Sequence, residues 1–271
     1  MESLQPTSPG LFDTLPPIRL AGSNDGYLRS PLSAATIGFG SAAFSVREVD
    51  RTFANEVISA NHYSRRVYRG STLHLGVFIG EAVSGVLQFG FAMNPASADS
   101  VVAGTLMNEY LELNRMWLAD NAPRNSESRA IALAVRLIRR LRPPVKWIQS
   151  FADERCGLFG TVYQAAGFTY HGEHVGIFWE IDGEWFHNSL VTNSRNATMP
   201  RSAFALANLH RATRHELRQF RYLKFLQHRF AKGCRYPALP YPKPTYAAGP
   251  VDEQPFPAVR AGRDPLRPLL P

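Results

Sequence analysis

Cysteine is nearly absent: Cys156 and Cys234 are the only two in 271 residues and share no CxxC spacing, so neither a disulfide framework nor a cysteine-held zinc is expected. No apolar run approaches the roughly 20 residues of a membrane-spanning helix. The opening MESLQPTSPG lacks the charged and apolar regions of a secretory signal, and cytoplasm is the expected compartment. Acids are scarce beside bases, 22 against 30, leaving a formal charge of +8 that favours a polyanionic partner such as nucleic acid. TIGFGSAA (Thr36 to Ala43) lacks the third glycine of GxGxxG and any Lys-Ser/Thr ending, so an ordinary loop is expected there. HExxH and GxSxG are missing as well, which removes the standard zinc-protease and hydrolase readings.

What is present is 45% hydrophobic residues, enough for one sizeable catalytic domain with extensions. Residues 1–45, rich in Pro, Gly and Ser, read as an arm with little regular structure. The pattern from Val46 to Ala60 is helical, with Val49, Phe53, Val57 and Ala60 on one face. Leu73–Ile79 and Val83–Phe91 read as a hairpin, and Tyr110–Leu118 as a strand. A helix is expected from about Glu127 to Leu141, ending before Pro143-Pro144. Strand Val145–Phe151, a helix carrying Tyr163 and two further strands, Val175–Ile181 and Glu184–Leu190, complete residues 46–190 as a mixed α/β layer fold. Residues 191–236 read as a basic helical extension. Within it Arg211, Arg214, Arg218 and Arg221 fall at spacings of three, four and three, apart from an apolar stripe that includes Leu217 and Phe220. Such a helix either lies along a phosphate backbone or is docked with a solvated outer face. Residues 237–271 are too proline-rich to pack and read as a tail.

Several residues are left over from these elements. Strict alternation in YLELNRMWL puts Arg115 on the apolar face of Leu111, Leu113 and Trp117. It then needs a cleft beside it, or a bulge that turns it out. Ser126 and Ser128 stand at a helix N-terminus, where free N–H groups favour an anion such as phosphate; capping accounts for one serine and leaves the second free. Asp153 follows an apolar run and is a base, a metal ligand or a helix cap. His62, beside Tyr63 at a helix end, is structural or a ligand, and Tyr163 is core or cleft. His171 and His174 point to opposite faces of an extended segment.

VYQAAGF, a helix ending after a strand, resembles the late motif of the GCN5-related N-acetyltransferase (GNAT) fold, although PRNSESR stands where that family has a glycine-rich pyrophosphate loop. NHYS (Asn61 to Ser64), ELNRMWL (Glu112 to Leu118), NSESR (Asn125 to Arg129) and KWIQSFADERCGLFGTVYQAAGF (Lys146 to Phe168) together closely resemble the Mom family of bacteriophage DNA-modification proteins, over about residues 46–190. The resemblance implies a GNAT-like mixed central sheet flanked by helices, and conversion of adenine in phage DNA to N6-carbamoylmethyladenine, which protects the DNA from host restriction. It implies a site of His62, Tyr63, Arg115, Ser128, Asp153 and Tyr163, with acetyl-coenzyme A and iron as cofactors. Asp153 is then the expected base, Arg115 and Ser128 hold the anionic cofactor, and His62 with Asp153 holds the iron. The partner is double-stranded DNA with the adenine flipped out, gripped by Arg211, Arg214, Arg218 and Arg221, with Tyr63, Tyr163 or Trp117 stacking on the base. A conventional N-acetyltransferase of a protein or small-molecule amine, and a non-catalytic DNA-binding protein, stay open as alternatives.

Overall fold

The computed structural model describes residues 25–156, 159–192 and 199–243. Three strands come first: β1 (Gly26–Arg29), β2 (Thr36–Gly40) and β3 (Phe44–Glu48). Helix α1 (Arg51–Asn61) precedes the hairpin β4 (Ser71–Ile79) and β5 (Ala82–Gly90). A single turn, α2 (Ala98–Val101), leads to β6 (Tyr110–Leu118), the long α3 (Ser126–Leu141) and β7 (Trp147–Asp153). The chain closes with α4 (Thr161–Ala165), β8 (Thr169–Ile181), β9 (Glu184–His187), α5 (Ser189–Thr192), α6 (Pro200–Ala207) and β10 (Thr213–Phe225). The ten strands of the described residues form one sheet in the order β1-β2-β3-β4-β5-β6-β7-β10-β8-β9. Every neighbour pair is antiparallel except β6 and β7.

Alternation on β5 and β6 separates two layers. Leu87 and Met116 face α3, whose Ala130, Ile131, Ala134, Val135 and Ile138 are buried in the main core. Their neighbours Val86 and Trp117 face the other way, onto Ala54 and Ile58 of α1. The result is a mixed sheet with helices on both faces, as the resemblance implied.

Three expectations are corrected. The stretch read as an arm contributes β1, β2 and the start of β3, with TIGFG as a paired strand instead of a loop; residues 1–24 lie outside the described residues. Its glycines serve close approach: Gly40 has φ +139°, and a Cβ there would meet the Phe44 carbonyl oxygen at 2.4 Å. In the basic helical extension expected over residues 191–236, helix α6 ends at Ala207, and Arg214, Arg218 and Arg221 lie on the 13-residue strand β10 between β7 and β8, with Arg211 just before it. Phe220 and Tyr222, two apart, are buried on one face of that strand, a period of two that the arginine spacing masks. The segment read as tail packs at its start, where Leu239 N–H donates to the Tyr170 carbonyl (2.8 Å) and the Tyr241 hydroxyl to that of Phe168 (2.7 Å).

Candidate active site

Parallel strands β6 and β7 pair over only three residues, Tyr110, Leu111 and Glu112 against Trp147, Ile148 and Gln149. Below the fork Tyr110 stacks on Trp147 (ring centroids 5.2 Å apart). Beyond it β6 continues on β5 and β7 on β10, so the edges of β6 and β7 that face each other carry no ladder. The Gln149 amide closes the fork by donating to Glu112 Oε2 (2.9 Å).

A bulge decides what stands on β6 past this point. Register shifts between Gln88–Arg115 and Phe89–Leu113, leaving Asn114 as the extra residue. The shift moves Arg115 and Trp117 off the Leu111–Leu113 face and onto the α1 face, so the bulge and the cleft, posed as alternatives, are both present. Asn114 itself joins a polar chain: its amide donates to the Phe91 carbonyl (3.1 Å) and Glu112 Oε1 (3.2 Å), and its oxygen accepts from the Ser71 hydroxyl (3.1 Å). Arg115 donates to the Asn114 carbonyl (2.6 Å) and the Arg66 carbonyl (3.0 Å), with its guanidinium 5.9 Å from the Tyr68 ring centroid. Burial pulls its pKa down, but guanidinium remains charged. Burial pushes the Glu112 carboxyl the other way, above its ordinary value, against the lowering effect of its two amide donors and Arg115.

His62 and Tyr63 enter from the end of α1. His62 is the C-cap, its N–H donating to the Ile58 carbonyl, and a turn closes behind it as Arg65 N–H donates to the His62 carbonyl (2.7 Å). Its Nδ1 accepts the Ser64 N–H (3.1 Å) and lies 2.9 Å from Ser64 Oγ, which assigns the ring proton to Nε2. Burial, with the charges of Arg115 and Arg155, lowers the His62 pKa to about 3. Tyr63 keeps 46% of its surface exposed. Its hydroxyl end is turned inward, where desolvation, Cys156 and Asp153 raise its pKa.

Asp153, at the end of β7, is committed to Arg155: Oδ1 accepts the Arg155 N–H (3.0 Å), and Oδ2 accepts Nε (2.9 Å) and Nη2 (2.5 Å). The guanidinium lies 4.6 Å from the Phe178 ring, 5.5 Å from Trp185 and 5.6 Å from Tyr63, a set of cation–π contacts. Burial lowers the Arg155 pKa, but the hydrogen bonds and charge of Asp153 carry it above its ordinary value.

Tyr163 comes from α4, against Tyr222 (5.4 Å) and Phe168 (6.0 Å). Its hydroxyl faces Ser150, short of full hydrogen-bond geometry, and burial raises its pKa. His62, Tyr63, Arg115 and Asp153 thus share one side of the fork, and Tyr163 meets it from the α3 side. Ser128 does not join them: its hydroxyl donates to the Asn125 carbonyl (3.1 Å) in the first turn of α3. Trp117 packs on α1.

Arg211, Arg214 and Arg218 are neutralised locally, whereas Arg221 has no acidic partner among the described residues. Arg211 is bidentate to Asp182 (2.5 and 2.6 Å), Arg214 pairs with Glu216 (2.6 Å), and Arg218 reaches Glu154 (2.8 Å) and Glu173 (3.8 Å). Arg221 lies 3.9 Å from the Tyr236 ring centroid. The implied iron does not fit: the His62 Nδ1 and both Asp153 oxygens are engaged, and among the described residues no three His, Cys, Asp or Glu side chains form a metal-holding group.

Glu112, Gln149 and Arg155 were quoted within sequence motifs but given no role. Glu112 stands in the register of Tyr110 on β6, and only the fork gives it significance. Arg155 gains its aromatic surround from Phe178 and Trp185, too distant in sequence to signal it.

The neutral, buried His62 carries a pH prediction. An unfolded chain takes a proton on this ring near pH 6.5 that the folded chain refuses until about pH 3, so stability falls as pH drops through that window. In thermal melts, His62→Gln is expected to lose less Tm than the parent across it; parallel losses would contradict a ring buried in its neutral form.

Among solved structures, the ribosomal-protein-S5-alanine acetyltransferase from Vibrio fischeri is 10% identical, covers 70% of this chain and 96% of its own, and gives a TM-score of 0.42. The ribosomal L7/L12 α-N-protein acetyltransferase RimL in complex with coenzyme A is 12% identical over 68% and 95%, with a TM-score of 0.38. In sequence, the methylcarbamoylase mom of Escherichia phage Mu is 47% identical over 210 residues, 76% of this chain and 87% of that protein. The Mom protein family matches residues 43–243, β10 included. The chain therefore belongs to the Mom protein family.

Proposed function

We propose that this chain transfers a carbamoylmethyl group to N6 of adenine in DNA, with the fork between β6 and β7 as the reaction site. The observation that carries the reading is the combination at one fork of two unladdered strand edges, a half-buried carboxylate held by amides, Arg115 and the Asp153–Arg155 pair. The methylcarbamoylase name of the phage Mu relative supports a transferred group of this composition.

Adenine N6 is a poor nucleophile because its lone pair is delocalised into the ring. Forming an N6–carbon bond expels one N6 proton, which needs an acceptor in reach. Asp153 was the acceptor expected from its place at a strand end, but taking a proton there requires the Arg155 pair to open. The geometry favours Asp153 as the group that positions Arg155, and Glu112, bound by neutral amides, as the base. Arg115, Tyr63 and Arg155 then hold the base and donor in register.

An acyl-coenzyme A, when bound, would supply the two-carbon unit as a thioester; joining that unit to N6 through its methylene carbon would need a leaving group or a two-electron oxidant at that carbon, and the terminal amide would need an amine co-substrate that displaces the coenzyme A thiolate. The fork suits the extended amide arm of coenzyme A: the β6 edge beyond Glu112 offers free backbone groups, and Gln149 Oε1 and Ser150 Oγ are buried there without hydrogen-bond partners. The first turn of α3 offers N–H groups with no intrahelical acceptor to its phosphates. Ser128 stands in that turn.

Restriction digestion tests the reading. DNA from cells expressing the chain is expected to resist endonucleases whose sites contain adenine, and DNA from cells expressing Arg115→Ala to be cut. Equal cutting of both would overturn it.

A further inference from the structure

Arg211, Arg214 and Arg218 are paired with acids within the fold and Arg221 lies over the Tyr236 ring, which points to exposed cations without such partners as the surface that meets DNA. The segment joining α1 to β4, residues 62–70, carries three arginines in five positions: Arg65, Arg66 and Arg69, all exposed. Arg66 is neutralised by Glu184 (2.7 Å). Among the described residues Arg65 and Arg69 have no acidic partner within salt-bridge distance. Other cations lack one too, among them Arg124, Arg139, Arg140, Arg221, Arg229 and Lys232, but none of these stands on the segment that carries His62 and Tyr63.

This segment is part of the site's framework. It starts with His62 and Tyr63, Arg115 grips its backbone at the Arg66 carbonyl (3.0 Å), the Arg115 guanidinium lies over Tyr68, and the Gly70 carbonyl accepts from Phe91 N–H (3.0 Å). Arg65 holds a left-handed φ of +47°, which turns the chain sharply. Tyr63 and Val67 expose 46% and 41% of their surface among the cations. Unpaired guanidiniums interleaved with exposed apolar side chains, beside a cleft, match a nucleic-acid backbone and its bases better than a solvated face.

We propose that residues 62–70 form a DNA-backbone clamp in which Arg65 and Arg69 each take one phosphate flanking the nucleotide whose base enters the fork. The proposal rests on the DNA-modifying reading for its partner. It assigns the contact to a segment built into the active site, so that gripping the backbone aligns the strand with the fork.

The test is the salt dependence of duplex binding, measured by fluorescence anisotropy with the full chain. Each of Arg65→Gln and Arg69→Gln is expected to reduce the slope of log K against log salt by about 0.9, and the double variant by about twice that. Lysine at either position is expected to restore the slope. Arg211→Gln and Arg214→Gln are expected to leave it unchanged. An unchanged slope in the Arg65/Arg69 double variant with native thermal melting overturns the clamp, as does equal loss from the Arg211 and Arg214 variants. Displacement by an acidic peptide as effectively as by DNA overturns it too. Binding is read without turnover, so a chain that binds through the clamp but leaves adenine unmodified would sink the enzymatic reading alone.

Discussion

Glu112→Gln is expected to lower the rate of adenine modification by about 10²- to 10⁴-fold, the range of a general base, while the protein stays folded. Glu112 is the fork's carboxylate, and its donors are amides: Gln149 at 2.9 Å and Asn114 at 3.2 Å. Burial raises its pKa, so the folded chain holds this proton more tightly than the unfolded chain. Its charge therefore costs stability as pH rises through the unfolded and then the folded pKa, and the cost persists above both. An uncharged amide removes that cost, and Asn114 keeps the Phe91 carbonyl as an alternative acceptor. The variant should melt no lower than the parent at neutral pH, with any gain vanishing below the ordinary carboxylate range. In the parent, the acid limb of the pH–rate profile should lie above that range. Loss of activity with loss of melting temperature would assign Glu112 to the framework, and retained activity would remove it from the mechanism. Asp153→Asn supplies the contrast. An amide oxygen can still accept from Arg155, so this variant should keep more activity than Asp153→Ala; equal losses would return Asp153 to the role of base.

Trp147→Ala carries the largest expected stability effect, about 3–5 kcal/mol. The indole is fully buried, stacks on Tyr110 at an interplanar angle of 23°, and packs against Ala98, Val101 and Leu223. Its Nε1 donates to Thr105 Oγ1 (3.1 Å), so truncation also removes that hydroxyl's donor. Tyr110 and Trp147 form the first pair of the short β6–β7 ladder, and loosening them should let the fork shift. Chemical denaturation measures the loss, and a change under about 1 kcal/mol would contradict a close-packed base to the fork.

Elements whose apolar residues follow a single period were legible in the sequence. Strand β6 appears at its expected ends, Tyr110 and Leu118, and α3 runs to the expected Leu141, burying Ile131, Ala134, Val135 and Ile138. β10 was misread because two periods coexist in it: arginines three and four apart mimic a helix face, while Phe220 and Tyr222 mark a central strand. Only the demand of β7 and β8 for a shared neighbour separates them, and that demand is a long-range one. The candidate site divides in the same way. His62, Tyr63, Arg115, Asp153 and Tyr163 could be pointed to from motifs, but the partners that define their chemistry could not. A one-residue bulge at Asn114 sets which face Arg115 takes, and the aromatic surround of Arg155 comes from β8 and β9.

The most direct measurement is the nucleoside mass spectrum of DNA from cells expressing the intact chain, beside DNA from cells expressing Glu112→Gln. Adenosine carrying the mass of one added carbamoylmethyl group is expected in the first sample and almost none in the second. Unmodified adenosine from the intact, DNA-binding chain, or an acetyl increment in place of the carbamoylmethyl one, would contradict the proposed transfer.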